Sequence, residues 1–221
     1  TEITMSLVSG DTYETGTSIP AQSAGTTVYY KIEATNDLPG TSISDVESYA
    51  LPYTLTIAEI QGVSSVSPYN GYDAITSGVV TALYASYFTI QDGTGARSGM
   101  WARGLAAPAV GDTVTIRGTI TETDGVNTGN TFLVGADVVS ATSAAVMPTA
   151  TLITTAALSS EDYEGVLVVV DDAECTNTTL GDGEWEINDG SGVGVVDDLG
   201  YASSPTLGSV YEITGPLAYR E

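Results

Sequence analysis

Hydrophobic and polar positions alternate most regularly in two short runs, Tyr87-Phe88-Thr89-Ile90 and Glu184-Trp185-Glu186-Ile187. Successive side chains of a strand point to opposite faces. Phe88 with Ile90, and Trp185 with Ile187, therefore each mark one buried face. Both runs lead into an Asp-Gly turn, Gln91-Asp92-Gly93-Thr94-Gly95 and Asn188-Asp189-Gly190-Ser191-Gly192. Asp-Gly after such a run predicts a hairpin, because both residues tolerate the backbone that a tight turn requires. The two turns stand 97 residues apart. Nineteen residues beyond each Asp a second pair of runs matches at the same spacing, from Gly111 to Gly118 and from Gly208 to Gly215. One register kept over this length predicts two repeats of one domain, with Val114 and Ile116 corresponding to Tyr211 and Ile213.

The same reading extends outward. Residues 26–36 alternate, with Val28, Tyr30, Ile32 and Ala34 on one side and Tyr29, Lys31 and Glu33 on the other. The turn Asn36-Asp37-Leu38-Pro39-Gly40 and a short returning strand from Thr41 to Asp45 follow. The pattern divides the chain into a β unit over 1–52, a first repeat over 53–146 and a second over 147–221, with Met147-Pro148-Thr149 at the last boundary. In the first repeat it predicts a helical turn near Thr56–Gly62. Strands are expected at Ser77–Tyr84, Tyr87–Ile90, Gly99–Ala102, Gly111–Glu122, Thr131–Val134 and Asp137–Ser140, with a turn-rich segment from Asp124 to Asn130. In the second, Thr155–Ser159 reads as a short helix. Tyr163–Val170 matches the strand at Ser77–Tyr84 with Gly165 on Gly78, an offset of 87, which places a ten-residue insertion at Asn177–Glu184.

Two resemblances attach to these residues. The Tyr-x-x-x-Ala-x-Asn…Gly…Ser-x-Ser pattern of residues 13–48 resembles the last two strands of a fibronectin type III or related immunoglobulin-like domain. Such a sandwich takes roughly 90–100 residues, so only its C-terminal part is expected here. Gly78-Val79-Val80-Thr81, Tyr87 to Gly95, Gly111 to Ile120 and Tyr163 to Val168 are similar to the oligonucleotide/oligosaccharide-binding (OB) domains of secreted bacterial and archaeal surface proteins and extracellular nucleases. The resemblances imply an all-β chain, an incomplete immunoglobulin-like sandwich followed by two OB-like Greek-key barrels. The last strand of the first repeat has no counterpart after Gly215, so the second barrel is expected to lack it. An open sheet edge invites pairing with another chain.

Composition narrows the chemistry. The chain has 221 residues and 25 Gly, in keeping with short strands and many turns. Its net charge is −23, from 28 acidic and 5 basic residues, which disfavours nucleic acid as a partner. Such acidity suits solubility, divalent cations or a basic partner. Without histidine, Ser-His-Asp triads, imidazole acid–base chemistry and His-ligated zinc are excluded. The single Cys175 forms no intrachain disulfide and no thiolate metal site. The chain starts at Thr1, shows no signal-peptide pattern and has no apolar stretch long enough to span a bilayer.

Three kinds of candidate site remain. Asp171, Asp172, Asp197 and Asp198 come from separate segments of the second repeat and supply the hard oxygens that calcium needs, although plain solvated acids are the favoured explanation and no calcium-loop signature is complete. Tyr84, Tyr87, Trp101 and Arg103 lie where a barrel of this type would present a ligand face for a single strand or a sugar. Asn177-Thr178-Thr179 is a glycosylation sequon. Asp92 and Asp189 read as turn residues. The expected function is a non-catalytic extracellular or cell-surface assembly module whose partners are copies of itself or neighbouring domains. The alternative is the ligand-binding accessory of an exported enzyme.

Overall fold

The computed structural model describes residues 1–35, 40–85, 87–104, 108–123, 128–143 and 146–219. Strand makes up 53% and helix 6%, so the all-β expectation holds. The chain divides into two compact units, Thr1–Leu51 and Pro52–Glu221.

The first unit contains β1 (Met5–Ser9), β2 (Thr12–Thr15), β3 (Thr27–Tyr30), β4 (Glu33–Thr35), β5 (Thr41–Ile43) and β6 (Glu47–Ala50). Among the described residues they pair only as β1–β2, β3–β6 and β4–β5, each antiparallel. The continuous strand expected over 26–36 is thus two strands with different partners, broken at Lys31 and Ile32. The loss of hydrogen-bonding continuity there frees the Ile32 amide, which donates to Ser44 Oγ. The turn at Asn36–Pro39 lies outside the described residues. No described residue of this unit is buried, and Leu7, Val8, Tyr13, Tyr29, Ile43 and Val46 are all exposed.

The second unit begins with β7 (Tyr53–Thr54), α1 (Ile57–Gln61), β8 (Asp73–Tyr84), β9 (Tyr87–Gln91), β10 (Gly99–Gly104), β11 (Thr113–Thr123) and β12 (Thr128–Thr142). The α1 helix starts at a capping box. Thr56 Oγ1 accepts from the Glu59 amide and Glu59 Oε2 accepts from the Thr56 amide. Thr131–Val134 and Asp137–Ser140 are one strand, β12, that passes through Gly135 at φ 62°. Part of the turn preceding it, Asp124–Asn127, is outside the described residues. The ladders run β8–β9–β10–β12–β11, and β11 pairs back to β8, so five strands close a ring. Within the ring β10 and β12 are parallel and the other neighbours antiparallel. Inside it Ile57, Ile60, Val80, Phe88, Ile90, Met100, Val114, Ile116, Ile120 and Leu133 form a core.

The remainder contributes β13 (Thr151–Leu152), a 3₁₀ turn at Thr155–Ser159, β14 (Leu167–Gly181), β15 (Glu184–Asn188), β16 (Val193–Val196) and β17 (Val210–Pro216). The order is β13–β14–β15–β16, with β17 on the other side of β14. This is a half-barrel. Its core is Val166, Val168, Val170, Ala173, Cys175, Trp185, Ile187 and Leu217.

The ladders correct the expected insertion. Opposite Ile90 stands Val80, and opposite Ile187 stands Cys175, an offset of 95 rather than 87. The first hairpin leaves β8 at Tyr84 and enters β9 at Tyr87, and the second leaves β14 at Gly181 and enters β15 at Glu184, both shifted by 97. Gly78 and Gly165 are therefore not equivalent. Residues 177–184 belong to the end of a long strand, its turn and the start of β15.

Candidate functional site

The aromatic set expected on the ligand face is assembled as one cluster. Tyr87 and Arg103 are cross-strand partners on β9 and β10, with the Arg103 guanidinium carbon 5.3 Å from the Tyr87 ring centroid. Tyr84 lies 5.9 Å from Trp101 between centroids, and Phe132 joins Trp101 at 6.5 Å and Tyr87 at 6.3 Å. The face is occupied by the second repeat. Trp101 is buried, and its Nε1 donates to Leu217 O at 3.1 Å. The backbone at Gly200 lies so close that a Cβ there would run into the Tyr84 ring. Burial also pushes the Tyr84 hydroxyl pKa up. This surface works as a contact between repeats.

Several further contacts join the repeats. Gln91 Oε1 accepts from the Leu167 amide, and the Arg97 amide donates to Asp162 O at 2.7 Å. The Arg97 guanidinium reaches Asp162 at 2.9 Å and Glu161 at 3.8 Å. Asn130 clips the segment after β17 with both ends of its amide. Its Nδ2 donates to Tyr219 O and its Oδ1 accepts from the Tyr219 amide, at 2.7 and 2.8 Å. At the centre lies Glu164, with only 1% of its surface accessible, whose Oε1 accepts from the Thr131 amide at 2.6 Å. Its Oε2, like Gln61 Oε1, is buried without a hydrogen-bond partner. Desolvation, reinforced by the nearby Glu161 and Glu122, holds the Glu164 pKa well above the ordinary 4.5. Sequence reasoning passed over Glu164. The available signal was a lone acid in the Tyr163-Glu164-Gly165 step into the apolar run Val166–Val170.

The paired Asp-Gly turns do more than turn. Asp92 Oδ2 accepts from the Ile57 amide at the start of α1, and Asp189 Oδ2 accepts from the Thr155 amide at the start of the 3₁₀ turn, each at 3.0 Å. The Thr155 hydroxyl also donates to Asp189 Oδ1 at 2.6 Å, and the Ser191 amide and hydroxyl donate to the same oxygen. Ser191 and Thr155 together hold the Asp189 carboxyl far below the usual range. A depressed folded pKa adds stability above the unfolded value of about 3.8 and loses it as pH falls through the folded one. Asp189→Asn is therefore expected to lower the melting temperature at pH 7 but to narrow the gap to the parent protein in strong acid. Thermal melts at pH 7 and below pH 3 check this, and an equal loss at both would refute the role of the charge.

The four proposed calcium ligands are placed apart in function. Asp171 and Asp172 form the bulge where the β14–β17 ladder shifts register, with Asp172 at φ 51° and its amide donating to Asp171 Oδ1. Asp197 Oδ1 accepts from the Leu199 amide, and the Asp198 carboxyl packs on the backbone of Gly183 in the β14–β15 turn. Among the described residues no group of three or more acidic or cysteine side chains is arranged to hold a metal ion. Asn177 sits part-exposed in β14, its Oδ1 accepting from the Thr179 amide and hydroxyl.

The most distinctive geometry is the open side of the half-barrel. In the first repeat Val114 and Ile116 are 1% and 0% exposed beneath β12. Their counterparts Tyr211 and Ile213 are part-exposed. Among the described residues no strand bridges β16 and β17. Between them opens a cleft of about 920 Å³. Val168, Val170, Trp185, Ile187 and Ile213 line it, Trp101 and Tyr84 flank it, and the connection through Leu199–Pro205 borders it. On the rim Val195 and Val193 are 48% and 55% exposed.

No family model matches the chain, and no curated protein or solved structure matches it. Among the described residues no helix is long and apolar enough to cross a membrane.

Proposed function

We propose that the chain is a non-catalytic extracellular assembly module that joins neighbouring subunits or domains by strand complementation in a surface filament or layer. The observation that carries this is the contrast between Val114 and Ile116, sealed under β12, and Tyr211 and Ile213, open on the cleft. An unpaired edge over an unfilled apolar interior is stabilised by an added strand. The unsealed apolar side chains of the first unit give a second surface of the same kind.

The ring order β8–β9–β10–β12–β11 with parallel β10 and β12 supports reading the first repeat as an OB-like barrel and the second as the same barrel opened. Three separate strand pairs support only an open, immunoglobulin-like remnant for residues 1–51. With Trp101 and Tyr84 committed to the second repeat, ligand binding on that face has no observation in its favour.

The test is the assembly state. Light scattering over a range of concentrations and negative-stain microscopy are expected to show concentration-dependent oligomers or fibres. A monodisperse monomer at hundreds of micromolar would remove the reading.

A further inference from the structure

We infer that the cleft between β16 and β17 accepts one extended strand from outside the half-barrel, running parallel to β16 and antiparallel to β17 and carrying the side-chain pattern of β12. This rests on the assembly reading and specifies the occupant that it needs.

The first repeat supplies the template. There β12 runs parallel to β10, placing Phe132, Leu133 and Val134 beside Trp101, Ala102 and Arg103. It runs antiparallel to β11, with Leu133 opposite Ile120, Val138 opposite Ile116 and Ala141 opposite Val114. Leu133 and Ala136 are buried in the ring and Val138 packs against its core. In the second repeat β16 pairs with β15 as β10 pairs with β9. Gly194 stands opposite Ile187 where Met100 stands opposite Ile90. The Val195–Val196 edge thus corresponds to Trp101–Ala102, and Tyr211 with Ile213 to Val114 with Ile116. An incoming strand finds a ladder edge on each side and an apolar floor of Val168, Val170, Trp185, Ile187 and Ile213.

The chemistry of the occupant follows. Inward positions need medium-sized apolar side chains such as Leu133, Ala136 and Val138, since Val168, Val170, Ile187 and Ile213 offer no hydrogen bond to a polar one and Trp185 Nε1 is itself buried. The rim carries Asp197 and Glu212, and Asp198 lies beyond it, so a donor poor in acids is favoured. β12 itself holds a single acid, Asp137.

The experiment uses the full chain and a fluorescein-labelled synthetic peptide of residues 128–142. Anisotropy is expected to rise saturably, and amide exchange to slow at 193–196 and 210–215 while β8–β12 stay unchanged. A peptide carrying Leu133→Asp is expected to bind at least tenfold more weakly, and because it alters the probe, it leaves the fold of the chain untouched. Absence of saturable binding, equal binding by the Leu133→Asp peptide, or slowed exchange at β10 and β11 instead would overturn the inference. Light scattering on the same samples separates the two proposals. Capture of the peptide by a chain that remains monomeric keeps the acceptor cleft and removes self-assembly. An oligomer whose β16 and β17 amides exchange freely keeps assembly and removes the cleft as its acceptor.

Discussion

Gly99→Ala is expected to lower the melting temperature sharply and to uncouple the two repeats. Gly99 begins β10 and lies backbone to backbone with the segment that leads into β14. A Cβ at Gly99 would overlap the Gly165 carbonyl and stand 2.5 Å from Val166 N. Neither side can retreat. Gly99 O accepts from Gln61 Nε2, the Gly165 amide donates to Leu217 O, and Gly165 holds φ at 68° with Met100 backbone 2.6 Å from its own would-be Cβ. Overpacking against backbone sits at the upper end of its usual range, about 3 kcal/mol, or roughly 6–12 °C for a chain of this size. Gly93→Ala is the control, because its added methyl meets only Ser98 Cβ at 3.6 Å. Calorimetry should show one transition for the control and a lowered or split one for Gly99→Ala. An unchanged melt would contradict the close approach.

Glu164→Gln is expected to stabilise the protein at alkaline pH and to leave it unchanged near pH 4. The raised pKa means that the folded protein holds the neutral acid more tightly than the unfolded chain does. That stability is complete below 4.5 and is lost as pH rises through the folded value. Glu161 and Glu122 face the carboxyl with like charge, Arg97 is spent on Glu161 and Asp162, and the Thr131 amide is the donor that favours ionisation. A glutamine keeps the acceptor for Thr131 N without the charge. The gain at pH 8 should be about 1–3 kcal/mol, the range for an unsatisfied buried polar group. Glu164→Ala differs, because it orphans Thr131 N and should destabilise at every pH. Denaturant titrations of the three proteins at pH 4 and pH 8 decide it. Parallel curves for the parent and Glu164→Gln would place no titrating group at this position.

What could be read from the sequence was local. Asp92 and Asp189 announced the hairpins because Asp-Gly carries its backbone preference in its own residues. The helical turn expected over Thr56–Gly62 is α1, whose capping box closes within one turn of chain. The core pairs Phe88 with Ile90 and Trp185 with Ile187 followed from a period of two. The contacts between repeats were not legible, because Gln91 with Leu167, or Asn130 with Tyr219, are separated by 76 and 89 positions and carry no periodic signature. The glycines misled. Gly78 and Gly165 each precede a Val-rich run, yet the first makes room for the Gln91 backbone and the second for Met100, so a shared residue type reflected two unrelated close approaches. Tyr84, Tyr87, Trp101 and Arg103 come together through the β8–β10 register, but the groups that cover Trp101 and Tyr84, Leu217 and Gly200, stand far along the chain. The acids at 171, 172, 197 and 198 were grouped by type. The β14 bulge and the Asp198–Gly183 contact send them to different structural tasks.

The buried Cys175, fully inaccessible in the core of the half-barrel, is the chain's one sulfhydryl. Because no thiol stands in the first repeat, a maleimide or disulfide-exchange reagent can react only when the second opens. Its labelling kinetics therefore time the opening of the β13–β17 half-barrel without any engineered label.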